Sequence, residues 1–434
     1  MSFRDWRQMT TLIEMPFVIS FWRRVQIFQA VVRAHRQSIQ STRVPSLDFM
    51  QALSEPADHM QPVRVRVRRD YLYEDAFENL SKENAPSLRP RLNVVFFNQA
   101  NVEEMGFDGG GLSREFLTEV IQSGFNPTRG YFLYTDDNTL YPNPNARHAE
   151  EEAYEHFSPP IHVICIILCG MDLTKESETG MALYEGMLVE VRFAHFFLAK
   201  LVSRTGGSLG FDYLHSLDRE LYRQLCNLKK YRGNVRDLEL DFTIVQDNFG
   251  ESKVIELKPG GSSIPVTEAT RVEYIHLVAN YKLNRQIYPQ SRAFIAGVTD
   301  VVYLEWLRLF DAEELQVLIS GADTDISVED LREHTVYVGS YQKTVDDFWS
   351  LLETFTESEK RDLLRFATAC SRPPMFGFRD LQPPFSIQIV PDITRLPTSS
   401  TCMNLLKLPA YADKAVLRER LLYALNSHAG FEYS

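Results

Sequence analysis

Cys402 stands in the run Arg395-Leu396-Pro397-Thr398-Ser399-Ser400-Thr401-Cys402-Met403-Asn404-Leu405-Leu406-Lys407-Leu408-Pro409, followed by one helical stretch and a short tail. A thiol between a prolyl turn and an apolar strand-like run is either a small buried hydrophobe or an exposed nucleophile. As a nucleophile it would perform acyl transfer; a thiol protease or deubiquitinase would also need a histidine base and an orienting Asn or Asp. His334 and His428 are available, but neither lies in a recognisable catalytic signature. His162, Cys165 and Cys169 could share a helix face, yet no fourth ligand follows at finger-like spacing, so no metal is expected. Asp108-Gly109-Gly110-Gly111 and Thr205-Gly206-Gly207-Ser208-Leu209-Gly210 lack the Lys-Ser/Thr pair of a nucleotide cradle and read as turns. Cys226 and Cys370, among apolar neighbours in helical stretches, read as core.

These residues sit in a chain of 434 residues, 44% hydrophobic and 24% charged, long enough for more than one cored unit and without the composition of a disordered segment. Lys+Arg 46 against Asp+Glu 58 leaves a net charge of -12, which argues against nucleic acid or an anionic membrane as partner and suits a basic protein surface. Five cysteines, an odd and scattered set, suit a reducing compartment, so a cytoplasmic or nuclear location is expected. Glu14 and Pro16 interrupt the apolar stretch after Arg4 and Arg7, so no signal peptide is expected. The longest apolar run, 161–171, is about half of the roughly 20 residues a membrane-spanning helix needs.

The elements that must position the chemistry follow from periodicity. Residues 12–36 place Phe21, Val25, Phe28, Val31 and Val32 at helical spacing, an amphipathic helix expected to dock on its own domain. A polar, proline-bearing linker follows to Pro62. Val63, Val65 and Val67 then alternate with arginines as a half-buried strand, and a helix carries Leu72, Phe77 and Leu80. Residues 91–97 read as a strand and Ser113 as the N-cap of the next helix, with strands and helices alternating to about residue 335. Beyond Tyr337-Val338-Gly339-Ser340-Tyr341 comes a helix over 345–355. Thr356 with Glu359 makes a capping box for the next, 385–390 and the Cys402 segment read as strands, and 414–427 as a last helix.

Leu396-Pro397-Thr398 with Thr401-Cys402, and Phe431 four places from the end, resemble the closing signature of HECT-type ubiquitin-protein ligases. Other stretches resemble that domain in order: Asp108 to Gly111 with Arg114-Glu115-Phe116, Tyr141-Pro142-Asn143-Pro144, Leu183-Tyr184-Glu185, Ile264-Pro265-Val266-Thr267, Leu318-Ile319-Ser320-Gly321 and Cys370-Ser371-Arg372-Pro373-Pro374. The likeness spans about residues 65–434, and Met15 to Gln29 resembles the segment preceding the domain in the B and C members of the ubiquitin ligase E3 group. It implies an α+β, bilobal architecture: an N-terminal helix and linker over 1–62, an N-lobe over 63–336, a hinge over 337–341 and a C-lobe over 342–434. The implied partners are a ubiquitin-loaded conjugating enzyme, ubiquitin and protein substrates, with no cofactor.

By the same resemblance Cys402 is the nucleophile that carries ubiquitin as a thioester, Thr401 a hydroxyl beside it, and Arg395 a group ordering the loop or the ubiquitin tail. Phe431 supports transfer to the acceptor lysine, with Glu432 a weaker candidate for deprotonating it. Leu221, Leu225, Leu238, Leu240, Tyr274 and Val278 correspond to the conjugating-enzyme groove, although Leu221 and Leu225, one helical turn apart, fit a core equally well. The hinge departs from the family pattern, because Ser340 replaces a glycine and leaves Gly339 to supply the backbone freedom. A second departure covers residues 157–180, where prolines and acidic residues replace an expected helix. Two other readings stand beside the transferase: a binding module inactivated by that segment, and a thiol-dependent ubiquitin protease.

Overall fold

The computed structural model describes residues 14–41, 63–80, 92–98, 102–103, 111–146, 191–203, 208–248, 251–321, 324–339, 342–368, 370–374, 377–381 and 383–427. Helices and sheets are both present, an α+β chain. The chain divides into two compact units. One comprises residues 1–30, 124–161 and 191–316, the other 31–123, 162–190 and 317–434. No described helix is long and apolar enough to cross a membrane.

The first unit is built on aromatic packing. Phe193 meets Phe125 edge to face at 5.3 Å and Phe294 at 5.8 Å, and Phe294 meets Phe197 at 4.7 Å, separations at which ring quadrupoles attract. The short strands β3 (Phe132–Tyr134) and β4 (Leu140–Pro142) pair antiparallel, and Gln316 closes the edge by accepting from the Phe193 amide and donating to the Val191 carbonyl. The amphipathic helix expected near the N-terminus spans Phe21–Ser41 and docks through Val25 and Phe28, both fully buried; Phe28 packs edge-on against Phe310. Its Arg24 is buried too. A guanidinium costs much to desolvate, and here Glu314 takes both of its terminal nitrogens while the Leu309 carbonyl takes one. Strands β5 (Thr243–Asn248) and β6 (Glu251–Glu256) form an antiparallel hairpin.

In the second unit, β1 (Val63–Arg68) and β2 (Leu92–Phe97) pair parallel, and the Leu72–Leu80 helix packs on β1. The alternation read from the sequence holds, since Val65 and Val67 are buried while Arg64, Arg66 and Arg68 are exposed. The helix after the glycine run begins at Gly111, so Ser113 lies inside its first turn and is not the N-cap. Glycine tolerates the start there, and the helix begins three residues earlier than the cap signal suggests.

Residues 326–425 of the same unit close around a four-stranded sheet of order β7-β8-β10-β9: β7 (Val336–Val338), β8 (Ser386–Val390), β9 (Thr398–Ser400) and β10 (Leu405–Pro409). The first three run parallel and β9 antiparallel to β10. Ile387, Leu406 and Leu408 are fully buried beneath the helices Gln342–Leu352, Glu357–Thr368 and Lys414–Ser427, each contributing roughly 1.5–3 kcal/mol of transfer free energy. The capping box is formed: Thr356 Oγ1 accepts from the Glu359 amide, and Glu359 Oε2 accepts from the Thr356 amide. Those bonds hold the Glu359 carboxyl below its usual range, the Thr356 amide being the largest cause.

Candidate active site

The sequence places Cys402 in a strand, but the structure does not. Strand β9 ends at Ser400, Thr401–Met403 turn through a single 3-10 helix, and β10 begins at Leu405, so Cys402 lies at the break between two antiparallel strands. Asn404 makes the break possible. Its φ of 48° is left-handed, a conformation that Asn reaches more readily than any other residue except glycine. It is 1% exposed, and three of its hydrogen bonds tighten the turn. Its amide donates to the Thr401 carbonyl, its side-chain Nδ2 donates to the Pro383 carbonyl at 2.6 Å, and its carbonyl accepts from the Ser386 amide at the head of β8. The turn is therefore stitched to the segment entering β8, and the Glu357–Thr368 helix packs against it.

Thr401 is half-buried in the same turn. Arg395 lies on the loop that enters β9, its guanidinium largely exposed and paired with Asp392 at 3.2 Å. Bonds from Thr394, and then the Arg395 charge, hold the Asp392 carboxyl below its usual range. The Tyr411 hydroxyl donates to the Arg395 carbonyl, so the loop's backbone is pinned while its cation stays in solvent. His334 Nδ1 is engaged by Asp330, at 2.9 Å from its carbonyl and 3.1 Å from its carboxylate. Phe431, Glu432, His428, Ser340, the 157–180 segment, His162, Cys165 and Cys169 lie outside the described residues. Cys370 is buried, as read, and Cys226 is half-buried.

Gly339 follows β7 with a φ of +109°, a backbone conformation closed to ordinary side chains. A Cβ there would also stand 3.2 Å from the Ile389 carbonyl of β8. Just before it, the Tyr337 hydroxyl accepts from Trp349 Nε1 at 2.9 Å.

The six groove residues fall in the first unit: Leu221 and Leu225 on the Arg219–Lys230 helix, Leu238 in the Val235–Leu238 turn, Leu240 two residues beyond it, and Tyr274 and Val278 on the Arg271–Asn280 helix. The first helix is capped by Asp218, which accepts from the Leu221 amide, and packs on the last. Leu225 and Val278 are buried at 5% and 2%, on the faces these helices turn inward. Leu221, Leu240 and Tyr274 are half-buried and Leu238 is exposed, so these four reach the surface. Tyr274 packs edge-on against Phe242, and burial, then the Asp241 charge, pushes its hydroxyl pKa up. Among the described residues, no group of three His, Cys, Asp or Glu is placed to hold a metal ion.

Residues 118–434, which include the Cys402 turn, match the HECT-domain (ubiquitin-transferase) family. The chain belongs to that family. It is 38% identical over 435 residues to the E3 ubiquitin-protein ligase UPL6 of Arabidopsis thaliana, covering 98% of this chain and 39% of that protein. It is 34% identical over 465 residues to the human ubiquitin-protein ligase E3B, covering 99% and 41%. With the E3 ubiquitin-protein ligase HUL5 of Saccharomyces cerevisiae it shares 35% identity over 439 residues, covering 99% and 45%. This HECT chain thus spans about two fifths of the length of the curated relatives it matches. Asn404 is the site residue that sequence reading missed, although an Asn between two strand-like runs is itself a turn signal.

Proposed function

We propose that the chain is a ubiquitin-protein transferase whose nucleophile is Cys402. The observation that carries this reading is the placement of Cys402 in an anchored turn between β9 and β10, within the segment that matches a ubiquitin-transferase family. The Cys402 thiolate attacks the carbonyl carbon of ubiquitin's terminal glycine, held as a thioester on a conjugating enzyme. A new carbon–sulfur bond forms, the old one breaks, and the conjugating enzyme's sulfur leaves as thiolate. A substrate lysine amine then attacks the same carbon, the amide forms, Cys402 leaves as thiolate, and the amine proton passes to solvent. The first exchange is nearly isoenergetic, so it needs an accessible thiolate and a positioned acyl carbon, with no redox or metal chemistry.

In this reading Thr401 and Arg395 flank the thioester, Phe431 serves the second step, and Gly339 with Ser340 permits a C-lobe to turn between donor and acceptor. The conjugating enzyme docks on Leu221, Leu238, Leu240 and Tyr274, with Leu225 and Val278 supporting them from below. The scattered cysteines support a reducing compartment, cytosol or nucleus, as the setting of this activity.

The test is a loading assay with activating enzyme, a conjugating enzyme, ATP and ubiquitin, resolved with and without thiol reductant beside Cys402→Ala. The expected result is a reductant-labile adduct that the substitution abolishes. A folded chain that forms no adduct, or an adduct that survives Cys402→Ala, overturns the proposal.

A further inference from the structure

The first unit holds a cleft of about 590 Å³ that the transfer chemistry does not use, lined by Lys200, Ser208, Asn284, Arg285, Tyr288, Ser291, Arg292 and Ile295. That volume lies within the roughly 300–1,000 Å³ typical of small-molecule sites. Among the described lining residues three are cations and none is acidic, in a chain whose net charge is -12. Among the described residues neither Arg285 nor Arg292 pairs with a carboxylate, and both are exposed, so their guanidinium forks can meet a ligand from solvent. Lys200 is 6% exposed, an unusual depth for an ammonium, and donates to Asn284 Oδ1 at 2.9 Å. Asn284 is held in turn, accepting from the Leu209 amide and donating to the Leu209 carbonyl and to Asn280.

Two further observations point to a ligand. The hydroxyl of Ser291 is buried, with the residue only 6% exposed, and has no hydrogen-bond partner among the described residues, although it borders the cleft. A buried donor without a partner carries a desolvation cost that a ligand oxygen would relieve. Asn284 and Arg285 lie in the π-helical turn Tyr281–Arg285, a distortion frequent at functional sites. The Tyr288–Val301 helix starts at the cleft, so its positive end adds to the three cations.

We propose that this cleft binds a small phosphorylated ligand, with Arg285, Arg292 and Lys200 neutralising its charge and the Ser291 hydroxyl donating to a phosphate oxygen. Guanidinium forks match phosphate oxygens two at a time, and the apolar body of Ile295 with the exposed Tyr288 ring accommodates the ligand's uncharged part.

The test is titration calorimetry of the purified chain with pyrophosphate at about 150 mM sodium chloride, where non-specific surface attraction is screened beyond roughly 8 Å. Saturable one-to-one binding is expected, weakened about tenfold or more by Arg285→Gln with Arg292→Gln, since two charge-assisted pairs are lost. Ser291→Ala is expected to leave the ligand-free melting temperature unchanged or raised, because it deletes an unpartnered hydroxyl, while reducing the pyrophosphate-induced shift in melting temperature. Malonate, a dicarboxylate of similar reach, is expected to bind distinctly more weakly. No saturable heat, equal binding by the double variant, or an undiminished shift in Ser291→Ala overturns the site; equal binding of malonate overturns the assignment to phosphate.

Discussion

Replacing Asn404 should loosen the turn that carries Cys402, and its contacts set the size of the effect. Alanine at a φ of 48° pays most of the left-handed penalty, roughly 1–2 kcal/mol, which Asn largely avoids. It also removes the donor to the Pro383 carbonyl, and an unpaired buried polar group costs roughly 1–3 kcal/mol. Asn404→Ala should therefore destabilise the turn by about 2–4 kcal/mol. Asn404→Gly, free of the conformational penalty, should lose roughly 1 kcal/mol less. Hydrogen exchange reads this directly, because the amides of Asn404 and Ser386 both bond within the stitch. At about 2 kcal/mol, opening of the 383–409 segment rises roughly thirtyfold in the alanine variant. Ubiquitin loading in single turnover should fall in the same order, wild type above glycine above alanine, while iodoacetamide still alkylates Cys402. Wild-type exchange in Asn404→Ala, or an alanine variant as protected as the glycine variant, would refute the claim that left-handed backbone at Asn404 holds the nucleophile in place.

Three further outcomes are expected. Gly339→Ala combines a forbidden φ with a 3.2 Å approach to Ile389 and should cost about 2 kcal/mol or more in urea denaturation; an unchanged midpoint would show that β7 relaxes freely. Burial pulls Lys200 down to about 8 from 10.5, so between those values the unfolded chain binds the extra proton and folded stability rises with pH. Lys200→Met should therefore be most favoured over wild type below about pH 8 and lose up to roughly 3 kcal/mol of that relative advantage by pH 10.5; denaturation curves that shift in parallel across this window would contradict it. Phe431→Ala should leave thioester formation on Cys402 intact while slowing transfer to lysine in a pulse-chase assay, whereas equal loss of both steps would remove the division of labour inferred for the tail.

What could be read from the sequence was whatever local chemistry decides. Thr356 and Glu359 cap a helix whichever fold surrounds them, because both partners lie within one turn. The alternation of Val63, Val65 and Val67 with arginines gives a half-buried strand by the period of two alone. Cys402 is visible as a candidate for the same reason, since its neighbours lie on either side of it, yet the apolar run beside it reads as strand where the chain turns. The decisive contact joins Asn404 to Pro383, 21 residues away, and no periodicity encodes such a pairing. The same limit explains the groove. Helical spacing puts Leu221 and Leu225 one turn apart, but which of them is covered depends on the Arg271–Asn280 helix, about 50 residues further on. It explains Lys200 as well, whose anchor Asn284 is 84 residues distant. Each of the three is a polar or surface question settled by a partner far along the chain. A substitution scan of this HECT chain should therefore find its unexpected losses at Asn404, Asn284 and Glu314, residues whose roles exist only after the backbone has brought distant segments together.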